Sequence, residues 1–335
     1  MLNILLKYTL MVLAGLLAGS CGRNTPEKQE VAGNTAAKPI RIAMIPKGTT
    51  HVFWNRVHAG AAKAAHELGV QLYWQGPLKE DDRQVQIQTV QNFISRGVDA
   101  IALAPLDSRS LVPSVKAARS KQIPVVIFDS DLDGDSYESF VATDNREGGR
   151  LGARRLAEVL GGKGNVILLR YAEGSASNTH REEGFLTGLR EYGASIQLLS
   201  GNQYSGVTIE KAYQVAQNLL NRYPQMDGIF CPNEITTQAV LRALQTVHKT
   251  GKVKLVGFDS NETLVKALKV GQLQGLAIQD PFNMGYQAVK TAKQVVEGQP
   301  VAKRIDTGVT MVTPENVEEP AIQRLLNPKT EKWLQ

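Results

Sequence analysis

The chain has 335 residues, of which 42% are hydrophobic and 21% charged, enough apolar material for a large core and too much for a disordered chain. Its 38 Lys and Arg exceed its 32 Asp and Glu, giving a net charge of +6 at pH 7. The basic residues are scattered as KAAK, RSK, ARR and KVK rather than gathered into a tract, so the excess supports no nucleic-acid surface.

The amino terminus, "MLNILLKYTLMVLAGLLAGSC", has a lysine near its start, an apolar stretch from Tyr8 to Ala18 and small residues before Cys21. That stretch has the length of a signal-peptide core and is short for a membrane span. Residues 1–20 are therefore expected to be a signal peptide. Ala18-Gly19-Ser20-Cys21 resembles a bacterial lipobox, in which cleavage before the cysteine leaves a thiol that carries diacylglycerol. The alternatives are a plain secretory signal cut nearby or a retained membrane anchor. Either cleavage exports the chain, and lipidation at Cys21 holds it at a membrane, in the periplasm or at the cell surface. Residues 21–39 are polar beyond the cysteine and read as a flexible tether. A lipidated Cys21 leaves Cys231 without a partner, so no disulfide is expected. Inside "GIFCPN", Cys231 reads as a small buried hydrophobe.

From residue 40 onward, short apolar runs alternate with segments of helical period. Strands are expected at 40–46, 70–75, 99–105, 123–130 and 139–145, then at 165–170, 195–200, 227–233, 252–260 and 275–280. Most of these runs are continuous rather than alternating, as in strands buried on both faces of a parallel sheet. Between them, "WNRVHAGAAKAAHELG" sets Val57, Ala61, Ala64 and Leu68 on one helical face and ends at Gly69. "DDRQVQIQTVQNFISRG" does the same with Val85, Val90, Phe93 and Ile94. This alternation predicts an α/β fold of doubly wound parallel sheets with right-handed crossovers.

Three strand types recur in the same order. "RIAMIP" is matched in character by "NVILLR", "GVDAIALAP" by "QMDGIFCPN", and "IPVVIFDS" by "KVKLVGFDS". The near-constant spacing predicts two similar lobes in tandem, one starting at about residue 40 and the other near 144. In open parallel sheets ligands sit beyond the carboxyl ends of the strands. The candidates there are Lys47 to Trp54, Ala104 and Asp129 in the first lobe, and Tyr171 to Arg181, Asn233 and Asp259 in the second. Carboxylates, amides, an arginine and the Phe53-Trp54 pair suit a sugar, whose hydroxyls both donate and accept and whose C–H faces lie on aromatic rings. Asp259 has a rival reading as the N-cap of a helix over "SNETLVKAL".

Enzyme motifs are missing where they would be expected. No Gly-rich dinucleotide fingerprint follows the first strand, and "GGKGN" lacks P-loop spacing and precedes a strand. "EGSASN" is not a nucleophile elbow, and five scattered histidines show no metal-binding pattern. His51 reads as a hydrogen-bond donor to ligand more readily than as a base.

"HVFWNRVHAGAAKAAHELG", "FVATDNREGG", "SNTHREEGF", "GIFCPNE", "LRALQ", "LVGFDSNETLVKAL" and "LAIQDPFNMGYQAV" together resemble the ribose-type solute-binding proteins of ABC sugar importers. The resemblance covers about residues 40–312, with the motifs in family order. It implies two Rossmann-like lobes, 40–143 plus 280–308 and 144–279 plus 309–335, joined by three hinge strands and closing over a monosaccharide or a related small polar solute. Phe53 and Trp54 match the aromatic pair that holds the sugar against an aromatic of the second lobe, here assigned to Tyr204. Asp129 matches the first lobe's hydroxyl acceptor, and Arg181, Asn233, Asp259 and Gln279 match the second lobe's polar set. Lys47 and His51 join them as cleft candidates. The crossovers are placed at Thr143-Asp144, Gln279-Asp280 and Gly308.

The implied partners are an ABC permease and its ATPase, with the binding protein monomeric and needing no cofactor or metal. A sugar sensor presenting its ligand to a membrane receptor is the alternative output. A transcription repressor on the same lobes would need a DNA-binding headpiece where this chain has an export signal. The chain departs from ribose binders at Ala104 and His51, where asparagine is usual, at Ser130, where arginine is usual, and at Lys47. The sugar need not be ribose, and Lys47 leaves an acidic or phosphorylated ligand open. In the carboxyl-terminal segment, Ile322, Leu325 and Leu326 predict a short helix on the second lobe, with Trp333 covering an edge.

Overall fold

The computed structural model describes residues 38–334. The expected signal peptide, the lipobox with Cys21 and nearly all of the tether lie outside the described residues.

Five strands come first: β1 (Arg41–Ile45), β2 (Gln71–Trp74), β3 (Ala100–Leu103), β4 (Val125–Phe128) and β5 (Ser139–Ala142). Five more follow: β6 (Lys163–Arg170), β7 (Ser195–Tyr204), β8 (Gly228–Phe230), β9 (Lys254–Phe258) and β10 (Gly275–Gln279). Two short strands, β11 (Arg304–Asp306) and β12 (Val309–Val312), complete the set. The helices among the first strands are α1 (Val52–Leu68), α2 (Arg83–Ser95) and α3 (Val112–Ser120). Next come α4 (Asn145–Val159), α5 (Ala176–Tyr192), α6 (Ile209–Arg222), α7 (Glu234–Thr246) and α8 (Glu262–Lys269). The last two are α9 (Pro281–Val296) and α10 (Pro320–Leu326).

The strands form two six-stranded sheets, ordered β11-β5-β4-β3-β1-β2 and β12-β10-β9-β8-β6-β7. The two orders correspond position by position, so the tandem repeat seen in the apolar runs is a repeat of topology. All pairs are parallel except β10 with β12. Parallel strands need covering on both faces, and each sheet has it. In the first lobe α1 and α9 bury Trp54, Val57, Ala61, Met284 and Ala288 on one face, while α2 and α3 bury Val90, Phe93 and Val115 on the other. In the second lobe α4 and α5 supply Ala153, Leu156, Phe185 and Leu189 to one face. Residues from α6, α7, α8 and α10 fill the other.

The chain passes between the sheets three times. It leaves β5 of the first lobe for α4 of the second, leaves β10 of the second for α9 of the first, and steps from β11 to β12. Each arriving helix is pressed onto the helix that follows its new lobe's first strand. A Cβ at Gly60 of α1 would fall 1.8 Å from Phe282 O, and one at Gly285 of α9 would fall 2.0 Å from Val57 O. A Cβ at Gly149 of α4 would lie 2.0 Å from Arg181 O of α5, and one at Gly184 of α5 would lie 2.0 Å from Arg146 O. Only glycine permits such backbone contact.

Some elements escaped the sequence pattern for physical reasons. Helix α4 carries Gly148, Gly149 and Gly152, which argue against helix by propensity but make room for Phe258, the α5 backbone and Phe230. Strand β11 reads RID and lies at a sheet edge, so it has no apolar run to betray it. Helix α2 corrects one expectation: Val85 is exposed, and the buried positions are Gln86, Thr89, Val90 and Phe93. Gln86 is tolerated there because it donates to Pro46 O and Ala104 O and accepts from Leu106 N–H, tying together the ends of β1 and β3.

A cleft between the two lobes

Asp129 and Asp259, the repeated acidic residues, stand directly after β4 and β9, the same position in each sheet. Both hold left-handed backbone, φ 60° and 62°, a conformation that short polar side chains such as Asp tolerate best. Their N–H groups donate to Val141 O and Ala277 O of the neighbouring strands. The rival reading of Asp259 as a helix cap fails, because Asn261 accepts from Leu264 N–H and caps α8. Both carboxylates instead line one cavity together with Lys47, Trp54, Arg181 and Gln279.

The first lobe's wall is an ionic cluster. Lys47, only 3% exposed, sets its Nζ 2.8 Å from Asp129 Oδ2. Glu80, in the loop after β2, accepts from Trp54 Nε1 at 2.7 Å and has His51 Nδ1 3.4 Å from its Oε1. Burial on its own would raise the Glu80 carboxyl; the hydrogen bond from His51 and the charge of Lys47 outweigh it and bring its pKa down to about 2. Burial opposes protonation of His51, yet the same pairing with Glu80 leaves its pKa raised. Phe53 meets Trp54 edge-on at 4.9 Å and joins the lining.

The second lobe's wall is a hydrogen-bonded net. Arg181 of α5 lies flat on Phe258, 3.9 Å from its centre, donates to Asn145 Oδ1 and Pro232 O, and sits 3.6 Å from Asp259 Oδ2. Gln279, the last residue of β10, donates through Nε2 to Asp259 Oδ1 at 2.7 Å. Burial pushes the Asp259 carboxyl up against the opposing pull of Arg181 and Gln279. Asn233 caps α7 by accepting from Thr236 N–H, and its amide donates to Asn178 Oδ1.

The lobes also bond to each other around the cavity. Lys47 Nζ donates to Ser177 Oγ at 3.0 Å, Ser177 N–H donates to Ser130 Oγ at 3.0 Å, and Tyr171 OH donates to Glu80 Oε2 at 3.2 Å. Arg56 of α1 donates to Ser260 Oγ and to Leu326 O at the end of α10. Three buried side-chain oxygens among the described residues have no hydrogen-bond partner: Asp129 Oδ2, Glu234 Oε2 and Gln279 Oε1. All three residues line this one cavity. Asp129 Oδ2 has the Lys47 ammonium beside it but no directed hydrogen bond.

Nine of the ten ligand-binding candidates meet here: Lys47, His51, Phe53, Trp54, Asp129, Arg181, Asn233, Asp259 and Gln279. Tyr204 does not. It ends β7, is 36% exposed, and lines a neighbouring hollow under Arg170. The second lobe's aromatic at the cavity is Tyr171. Ser177 and Asn178, inside the expected stretch from Tyr171 to Arg181, also line it, as do Glu80 and Glu234, which were not among the candidates. Ser177 and Asn178 belong to the "SNTHREEGF" motif and Glu234 to "GIFCPNE", so a signal was present; Glu80 sits in the polar loop "LKEDD" and had none. Cys231 is a wholly buried free thiol whose pKa burial pushes up.

The two-sheet topology with a cleft at the strand ends defines a two-lobed binding protein. Residues 42–300 match the periplasmic binding protein domain, and the chain belongs to that family. It is 29% identical over 314 residues to the D-ribose/D-allose-binding protein of Pseudomonas aeruginosa, covering 90% of this chain and 97% of that one. A carbohydrate transporter solute-binding protein from Agrobacterium radiobacter, solved in complex with D-arabinose, superposes with a TM-score of 0.83 at 32% identity, covering 87% of this chain and all of that one. An ABC transporter solute-binding protein from Agrobacterium vitis with bound D-fucose gives 0.81 at 34% identity, covering 86% and 100%. The ribose-binder likeness carried by the motifs is thereby established.

Proposed function

We propose that this protein captures a neutral monosaccharide between its lobes and delivers it to an ABC permease. The observation that carries the reading is that Glu234 Oε2 and Gln279 Oε1 are buried on one cavity with no partner, beside Asp129 Oδ2, which only the Lys47 ion pair holds. A buried acceptor without a donor costs about 1–3 kcal/mol, and a polyhydroxylated ligand brings several donors at once. The cations of the cavity wall are already committed: Lys47 to Asp129, His51 to Glu80 and Arg181 to Asp259 and two oxygen acceptors. A phosphorylated or acidic ligand would have to take a cation from its partner, so Lys47 serves to fix Asp129 and to meet a hydroxyl. The reading is supported by the relatives whose ligands are D-ribose or D-allose, D-arabinose and D-fucose.

Binding rather than catalysis is the output. Thr143, Asp144, Gln279, Asp280 and Gly308 act as the hinge positions, since the chain changes sheet at each. Asp144 and Asp280 cap α4 and α9, Thr143 Oγ1 donates to Gly308 O, and Gly308 has φ 82°. Ligand contacts from both walls favour the closed arrangement. Cys21 anchors the exported chain through lipid, which removal of Cys21 tests by releasing the protein from membranes. The central test is a thermal-shift screen of pentoses, hexoses, deoxy sugars, polyols and sugar phosphates. Stabilisation by neutral sugars is expected, and stabilisation by sugar phosphates alone would overturn the reading.

A further inference from the structure

Glu234 is the first residue of α7, one place after the Asn233 cap, where free helix N–H groups favour a negative charge while burial pushes its carboxyl up. It is only 7% exposed and lines the cleft. Its Oε1 accepts from Asn261 Nδ2 at 2.9 Å. Asn261 cannot turn away, because its Oδ1 caps α8 and its amide also donates to Gln238 Oε1. One carboxylate oxygen is thus locked, and the other, Oε2, is left buried without a hydrogen bond.

The charged groups facing Glu234 are His51 and Arg56 from the first lobe and Asp259 from the second. His51 is engaged by Glu80, and Arg56 by Ser260 and Leu326. Asp259 can only accept while ionised. None of these groups is hydrogen-bonded to Oε2, so the site lacks a donor there, which a sugar hydroxyl would supply.

We propose that Glu234 is a specificity-determining residue that reads one sugar hydroxyl through Oε2, separately from those read by Asp129 and Gln279. The inference rests on the sugar-binding reading above. It narrows the ligand to a neutral sugar or polyol with a free hydroxyl at the end of the cleft bounded by α7 and α8.

The test is isothermal titration of the full chain with D-ribose, D-allose, D-arabinose and D-fucose, followed by monodeoxy forms of the tightest binder. In Glu234→Gln the side-chain oxygen must stay on Asn261, so an amide replaces the acceptor in the cleft without change of shape. The parent should lose roughly tenfold or more in affinity when one particular hydroxyl is removed, the factor expected of a hydrogen bond to a charged group. Glu234→Gln should shrink that single penalty to about threefold and leave the other penalties unchanged. Asp129→Asn should shrink a different one. A Glu234→Gln profile identical to the parent's, or weakened equally for every analogue, overturns the proposal while leaving sugar binding intact. If Glu234→Gln does not fold, Glu234→Asp, which withdraws the oxygen but keeps the charge, gives the same comparison. Failure of all four sugars to bind the parent sinks the sugar-binding reading itself.

Discussion

Ser130 Oγ accepts the N–H of Ser177 at 3.0 Å, so the residue after the first lobe's acidic acceptor receives the first turn of the second lobe's α5. Lys47 completes a triangle by bonding Ser177 Oγ and pairing with Asp129. The small hydroxyl of Ser130 lets the lobes meet directly at this point. Ser130→Ala leaves the Ser177 N–H without its acceptor only when the cleft is closed. Its sugar affinity should fall about tenfold, with the unfolding temperature of the sugar-free protein little changed. An unaltered Kd by calorimetry would show that closure does not use this bond.

Asp129→Asn and Asp259→Asn test the paired strand ends. Asparagine tolerates positive φ, whereas alanine there would add about 1 kcal/mol of backbone strain. Each variant should bind sugar at least tenfold more weakly, with a much reduced sugar-induced change in tryptophan fluorescence and an intact circular dichroism spectrum. Two variants that bind as the parent does would remove both residues from the site.

The aromatic assignment separates Tyr171 from Tyr204. Tyr171→Phe loses the bond to Glu80 across the cleft and should weaken sugar binding by several-fold, about the worth of one hydrogen bond. Tyr204→Ala should leave Kd unchanged, because Tyr204 lies outside the cavity. The reverse ranking would restore Tyr204 as the stacking partner.

Glu80 and His51 give the folded protein a pH window. The Glu80 carboxyl is depressed, so its stabilising contribution is complete above the ordinary 4.5 and is lost as pH falls toward about 2. The shift corresponds to about 3 kcal/mol. His51 is raised, so its contribution is complete below the ordinary 6.5 and disappears as pH climbs through the raised value. Thermal unfolding of the parent and of Glu80→Gln should therefore differ most between pH 4.5 and 6.5. A difference that stays constant from acid to alkaline pH would exclude the pairing as its source.

The legibility of the chain followed burial. Strands covered on both faces, such as β3 and β4, appear as unbroken apolar runs, so the tandem lobes could be found from three strand types that recur in the same order. Polar edge strand β11 could not. At the cleft, residues directly after central strands were recoverable because position and chemistry coincide. Glu80 follows edge strand β2 among several charged neighbours, and only three dimensions bring it to Trp54 and His51. Tyr171 and Tyr204 both lie at strand ends, after β6 and on β7, and nothing local in the sequence says which one turns inward.

The glycine contacts between α1 and α9, and between α4 and α5, decide what can move. Phe53 and Trp54 ride on α1, and Ser177, Asn178 and Arg181 ride on α5. Each of these helices is braced, backbone to backbone, against the helix that has just arrived from the opposite lobe. Neither wall of the cleft can flex without carrying its brace along. In the hinge closure proposed above, the swing would be left to the few residues where the chain changes sheet, and the cavity-lining side chains would travel as two prefabricated jaws.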